Sequence, residues 1–297
     1  MNYIFFALVS YFLNSIAITV DKFLITKTIP DPLIYVFYFC LVGFFVSFGI
    51  PFTHFPEAEV FVLGSVSTIV WTIGAYFMFV ALKKGQVQRV IPIIGTVTPL
   101  TLLILASQTA SITSKQGLAI IILILGLVFL TFKDWRGKLI WKELFLEIAS
   151  GILFALSYFL LREAFVKNDF FTVLVWSKLV LIPVGLMFLI IPRLRVKILP
   201  VLKPQGSVSK MAPLFAFGQT CAGISELLLT YSISLASPAL INALQGIKYV
   251  YLLMFSLILG KKYPQIFQNH ISKGFLLSQI VGISLIGVGL YLLAFAT

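Results

Sequence analysis

The sequence predicts an all-α integral membrane protein, with ten transmembrane helices arranged as two inverted five-helix repeats. Three observations carry this expectation. Of 297 residues, 60% are hydrophobic and 11% charged, whereas a soluble domain carries about 25% charged residues; mean hydropathy is +1.07. Apolar runs of bilayer-spanning length, about 20 residues, recur from one end of the chain to the other. Finally, landmarks of the first five runs return in the next five, across a basic linker near the middle.

The first run covers 3–21. It lacks a positive n-region and is interrupted by Asn14-Ser15, so it reads as a membrane helix rather than a signal peptide. Pro30, Asp31 and Pro32 end the first connection, and the second run covers 33–52. Pro56 separates it from the third, 60–82. A very short connection leads to the fourth, 87–108, so these two form a helical hairpin; the fifth covers 116–132. Then comes KDWRGKLIWK (133–142), whose Trp135 and Trp141 suit the head-group level. The sixth and seventh runs are 144–166 and 171–191, joined to the eighth (211–233) by PRLRVKILPVLKPQGSVSK (192–210). A second short hairpin leads to the ninth, 238–259, where Pro238 opens the helix at little cost. The tenth covers 275–295. The runs are continuous rather than alternating, which argues against a barrel. Pro92, Pro99, Pro183 and Pro213 read as packing kinks.

The domains expected are a first repeat over 1–132, a basic linker over 133–143 and a second repeat over 144–297. ALKKGQVQRVIPIIGTVTPL (81–100) set against SISLASPALINALQGIKYVY (232–251) places Gly85 over Ala236 and Gly95 over Gly246. QGLAIIILILGLVFL (116–130) over QIVGISLIGVGLYLL (279–293) places Gln116 over Gln279 and Gly126 over Gly289. An odd number of spans per half inserts the second half upside down, and such repeats put a substrate site near the midplane.

On this five-plus-five plan, the short hairpins, the GLVFL and GVGLYLL segments and NALQGIKYVYLL (242–253), the chain resembles the drug/metabolite transporter superfamily, EamA type, over almost its whole length. The resemblance implies a ten-helix bundle with a central cavity and alternating access, moving small metabolites, with both termini inside. Many relatives carry a Gly-Glu pair after the fourth and ninth spans. Here those places read Ala106-Ser107-Gln108 and Gly260-Lys261, so no role of that Glu carries over.

Charge gives a different orientation. Of the 22 Lys and Arg, seventeen sit at odd-numbered connections and three (Lys115, Arg162, Lys167) at even-numbered ones. The positive-inside rule then puts odd connections in the cytoplasm and both termini outside. The formal charge of +12 is accounted for by those connections and by anionic lipid head groups, so nucleic acid is not expected as a partner. Cys40 and Cys221 lie inside apolar runs and form no CxxC pair. No GxxxxGK[ST] occurs, and His54 and His270 lack HExxH spacing. The reading is a secondary transporter of a small anionic or zwitterionic, amino-acid-like metabolite in the cell membrane. It needs no cofactor and no metal, is not an enzyme, and works as monomer or homodimer with membrane lipids around it. An intramembrane enzyme and a non-transporting structural protein are the alternatives.

Two lysines fall deep inside runs. Lys248 at a span centre costs about 2.5–3.5 kcal/mol on insertion scales, so it must face a partner or a wet cavity. Asn242, Gln245 and Tyr249 share its helical face, while the aligned face of the fourth run (Ile91, Ile94, Val97, Thr98) is largely apolar. A substrate-facing wall and a bundle-stabilising ion pair are both open. Lys178 faces the cavity or snorkels, and its neighbour Trp176 stacks on substrate or faces lipid. Glu226 pairs with one of these lysines or couples protons. Asn14, Trp71 and Tyr76 complete the candidate lining, with helix–helix contact as the other reading for such polar residues. Asp21-Lys22 and Arg162-Glu163 read as interfacial ion pairs at span ends.

Overall fold

The computed structural model describes residues 2–27, 31–107, 114–131, 141–202, 207–263 and 273–294. All regular structure among them is helical. In chain order the elements are α1 (Asn2–Lys27), α2 (Pro32–Cys40), α3 (Val42–Val46), a 3-10 turn (Ser47–Phe52), α4 (Ala58–Lys84), α5 (Val87–Ser107), α6 (Ser114–Thr131) and α7 (Trp141–Lys167). They continue with α8 (Phe170–Leu179), α9 (Leu181–Ile190), α10 (Pro192–Leu202), α11 (Ser207–Leu235), α12 (Pro238–Ala243), α13 (Gly246–Lys262) and α14 (Lys273–Ala294). Six stretches are long and apolar enough to cross a bilayer: Tyr3–Lys27, Pro32–Phe52, Ala58–Lys84, Trp141–Lys167, Phe170–Ile190 and Met211–Leu235. Shorter apolar helices cover Arg89–Leu105, Gly117–Gly126, Gly246–Gly260 and Ile280–Leu292. Large side chains such as Phe5, Phe45, Ile121 and Ile190 are exposed, as a lipid-facing shell requires.

The runs read from sequence differ from these helices in four places. The first helix continues to Lys27 instead of stopping at Asp21, which puts Asp21 and Lys22 inside it. The second is broken at Leu41, whose amide bonds the Tyr38 carbonyl at 3.2 Å with 3-10 spacing. The seventh is broken at Val180, because Pro183 has no N–H for the Leu179 carbonyl and its ring crowds that turn. The ninth is broken between α12 and α13, where the Leu244 and Gln245 amides bond Ile241 and Asn242 carbonyls. By contrast, Pro92 and Pro99 stay within α5 and Pro213 within α11. Within the 192–210 connection, α10 is amphipathic. Ile198 is buried while Arg193, Arg195 and Lys197 are exposed, and Lys197 pairs with Asp31 at 3.1 Å. Of the linker, 133–140 lies outside the described residues, and Trp141, Lys142 and Glu143 belong to α7.

Three helix pairs dominate the packing: α4 with α7, α1 with α11, and α6 with α14. Small polar residues let backbones approach closely and bond across the gap. In the α1–α11 seam the Ser10 Oγ donates to the Ser225 carbonyl at 2.7 Å, and the Ser225 Oγ returns a bond to the Ser10 carbonyl at 2.9 Å. In the α4–α7 seam the Ser67 Oγ donates to the Ser157 carbonyl at 2.9 Å, with the hydroxyls 3.0 Å apart. In the third seam, a Cβ on Gly126 would meet Ile286 at 2.7 Å, and one on Gly289 would meet Leu123 at 2.8 Å.

The two charged end pairs do not act as expected. Lys22 Nζ donates to the Leu82 and Gly85 carbonyls at 2.6 and 2.9 Å, at the end of α4. Arg162 reaches the Ile233 and Ser234 carbonyls, the first at 3.0 Å, at the end of α11. Both cations therefore cap helix C-termini, where carbonyls lack intrahelical donors and the dipole favours positive charge. Neither pairs with its neighbouring acid among the described residues.

Candidate functional site

A cavity of about 430 Å³ lies among these helices. That volume is within the range of small-molecule sites, which are mostly apolar with a few placed polar groups. Its walls come from α1 to α5, the 3-10 turn, α7 to α9 and α11 to α13. Its apolar lining includes Ile91 and Ile94 of α5, Phe39 of α2, Met78 of α4 and Phe154 of α7. Its polar lining includes Lys178, Glu226, Asn242, Gln245 and Lys248, with Asn14 and Tyr11 from α1.

Lys178 and Glu226 form an ion pair at 3.1 Å between α8 and α11. The Lys178 ammonium also stands 5.4 Å from the Trp71 ring centroid, and Trp71 itself stacks on Phe39 at 4.7 Å. Lys248 differs. Its Nζ lies over the Tyr11 ring, 5.7 Å from the centroid, and it forms no ion pair among the described residues. Tyr11 is fixed beneath it, since its hydroxyl donates to the Ile241 carbonyl at 2.7 Å.

The helix break before α13 orients the rest of this polar lining. Asn242 Nδ2 donates to the Pro238 carbonyl at 2.8 Å, and Gln245 Nε2 donates to the Gly95 carbonyl on α5. Gly95 has no alternative here, because a Cβ would meet the Tyr249 hydroxyl and the Gln245 amide.

Of the candidate residues, Lys248, Gln245, Asn242, Lys178, Glu226, Trp71 and Asn14 line this one cavity. Three do not. Tyr249 lies about 100° round the helix from Lys248 and is buried behind the wall against Gly95. Trp176 precedes Lys178 by two residues, about 200° round the helix. Its ring packs on Phe55 and Phe61, with centroids at 4.8 and 6.4 Å. Tyr76 lies about 140° from Trp71, beside Phe77, whereas Met78, seven residues on from Trp71, shares the lining face. Glu226 is the partner of Lys178 and not of Lys248.

Sequence reasoning missed one end of the cavity. Asp21, Tyr35 and Gln219 line it. The Tyr35 hydroxyl donates to Asp21 Oδ1, and Gln219 Nε2 donates to the Tyr35 oxygen at 3.4 Å. The available signal was Phe23-Leu24-Ile25, which keeps the first run apolar beyond Asp21 and so moves that acid inside the span.

Together these features define an all-helical protein of multi-pass membrane type, built around a central cavity. Comparison with known proteins adds the fold alone. No family model matches the chain, and no curated protein does. A solved structure described only as "Crystal structure of protein" is similar, with a TM-score of 0.60 and 15% identity over 95% of each chain.

Proposed function

We propose that the chain is a secondary transporter of a small organic anion or zwitterion, working by alternating access in the cell membrane, of the drug/metabolite transporter type its sequence resembles. The observation that carries this is Lys248, a cation without an ion-pair partner among the described residues, set in a largely apolar cavity at the first turn of α13. An ammonium so placed is expensive and is offset when a carboxylate or other anion joins it. The apolar lining residues Ile91, Ile94 and Phe39 suit an aliphatic or aromatic body.

The contacts between helices support two inverted five-helix halves. The alignment that sets Gly126 over Gly289 also sets Leu123 over Ile286, so Gly126 on Ile286 and Gly289 on Leu123 are one contact made twice. The alignment that sets Gly85 over Ala236 sets Leu82 over Ile233. Those two carbonyls are capped by Lys22 of the first helix and Arg162 of the sixth run. The serine seams repeat the same relation, first run on eighth and sixth on third. Contacts between distant chain ends also fit ten alternating crossings: Lys197 with Asp31, Arg89 with Glu143 and Glu147, and Lys167 with Glu59.

The test is counterflow in proteoliposomes with phenylalanine and 2-phenylethanesulfonate, which share a body and differ in head group. Saturable exchange of either probe, absent from protein-free vesicles, is the expected result. Covalent turnover of a probe without exchange would point instead to an intramembrane enzyme. Neither exchange nor turnover across a wider set of amino acids and organic anions would leave a structural protein.

A further inference from the structure

We infer that Asp21 is a proton-binding site at the closed end of the cavity, taking up and releasing one proton in each transport cycle. The inference rests on the transport reading and assigns its coupling group.

Among the described residues two acids line the cavity, and their surroundings differ. The Glu226 carboxylate is paired with the Lys178 ammonium at 3.1 Å. Asp21 is 5% exposed and forms no ion pair among the described residues. Its neighbour Lys22 is turned away, onto the Leu82 and Gly85 carbonyls. The Tyr35 hydroxyl, a neutral group, donates to Asp21. Asp21 is thus a carboxyl group that lines the cavity with no cation beside it, where a proton can bind and leave.

The other ionisable groups around Asp21 do not supply that cation. Tyr38 follows Tyr35 by one turn on α2, and both rings pack on Phe215 of α11. Gln219 of α11 is neutral. From α4 the neighbours are Met78 and Phe79. Arg89 at the start of α5 is held by Glu143 and Glu147. On α13, Tyr263 packs against Phe23 at 5.4 Å, and Lys248 lies over Tyr11, some ten residues back along α1.

Protonation would also rearrange the site. The ionised carboxylate accepts from Tyr35. Once protonated, Asp21 becomes a donor to the Tyr35 oxygen, and the Tyr35 O–H needs a new acceptor. A rotated Gln219 amide offers its Oε1. The proton thus changes the bonding between α1, α2 and α11. These residues seal the cavity: Tyr35 and Phe79 are 1% and 6% exposed, whereas Phe45 and Phe171, which also line it, are 74% and 43% exposed. One titration therefore reaches both the charge in the cavity and the contacts that close it.

The test uses reconstituted full-length protein without substrate. Infrared difference spectra across a pH step should show a protonated-carboxyl band that is absent in Asp21→Asn, retained in Glu226→Gln, and shifted in pH midpoint in Tyr35→Phe. A band that survives Asp21→Asn, or disappears in Glu226→Gln, overturns the assignment. Should Asp21→Asn fail to fold, an unmoved midpoint in Tyr35→Phe overturns it equally. In proteoliposomes, Asp21→Asn should lose pH-driven phenylalanine accumulation at least tenfold more than it loses exchange; equal loss of both overturns the coupling role. If the parent exchanges neither phenylalanine nor 2-phenylethanesulfonate, the transport reading fails, and the infrared result still decides whether Asp21 binds the proton.

Discussion

Removing the Lys248 charge should weaken binding of anions selectively. The perturbation is Lys248→Gln, which keeps a donor and most of the side-chain volume. Two unit charges about 4 Å apart interact by roughly 4 kcal/mol at an effective dielectric constant of about 20. Part of that is offset by stripping water from the ligand's anionic group, so the net loss expected is that of a charge-assisted hydrogen bond, about 1.5–3 kcal/mol. At about 1.4 kcal/mol per decade this is roughly a 10- to 150-fold rise in Kd. The assay is ligand binding to detergent-solubilised protein with 3-phenylpropionate, phenylalanine, 3-phenylpropionamide and phenethylamine, which share one body and carry negative, zwitterionic, neutral and positive heads. The two carboxylates should weaken by that factor, while the amide stays within about twofold. Equal changes for 3-phenylpropionate and 3-phenylpropionamide would mean that Lys248 shapes the wall without binding the anionic group. No change at all would remove Lys248 from the site.

Three further outcomes follow from the packing. Gly95→Ala should cost about 1–3 kcal/mol through overpacking against Tyr249 and Gln245, read as a lower Tm. Adding Tyr249→Phe, which removes the hydroxyl at the clash, should recover part of the loss; additive losses would refute the contact. Lys178→Met should cost about 3–5 kcal/mol by leaving Glu226 uncompensated, and Glu226→Met added to it should restore most of the stability; a double variant no better than the single would refute that pairing. In a Cys40→Ser, Cys221→Ser background, a cysteine placed in the 192–210 connection should be shielded from impermeant thiol reagents in intact cells. Labelling from outside would overturn the orientation drawn from the basic residues and favour termini inside.

How much was legible in the sequence depended on the range of the interaction. Helix existence is local. Bilayer-length apolar runs and the Pro-marked connections placed the apolar helices, but not the end of α1, the breaks in the second, seventh and ninth runs, or α10, where Ile198 is buried among exposed arginines and lysines. The α8–α9 break lies just before Pro183, while Pro92 and Pro99 stay within a continuous α5, where the Gly95 carbonyl freed by Pro99 accepts from Gln245 instead. That distinction is tertiary, and the residue type alone does not contain it. Helical phase placed Asn242, Gln245 and Lys248 together, and the same phase argument, applied at two residues' spacing, would have set Trp176 opposite Lys178. The partner of Glu226 was not legible, since it lies on another helix, and Asp21 was misplaced because a charged dipeptide looks like a span end.

On the proposed reading of two inverted halves, the helix contacts come in pairs and the cavity lining does not, and that difference favours an amphipathic ligand. The Gly126–Ile286 and Gly289–Leu123 contacts, the serine seams and the Lys22 and Arg162 caps come in equivalent pairs. The cavity does not. Lys248 and Gln245 belong to the ninth run, and the equivalent face of the fourth presents Ile91 and Ile94. Lys178 and Glu226 likewise come from the proposed second half, and Phe39 and Met78 from the first. In that reading the paired contacts keep the helices of both halves in register, so those positions tolerate little change and the lining is freer to diverge. The lining combines the Lys248 ammonium with apolar side chains such as Ile91, Ile94 and Phe39. A ligand with a charged head and an apolar body satisfies both. A small inorganic anion would leave the apolar lining wet, and a hydrocarbon would leave Lys248 uncompensated.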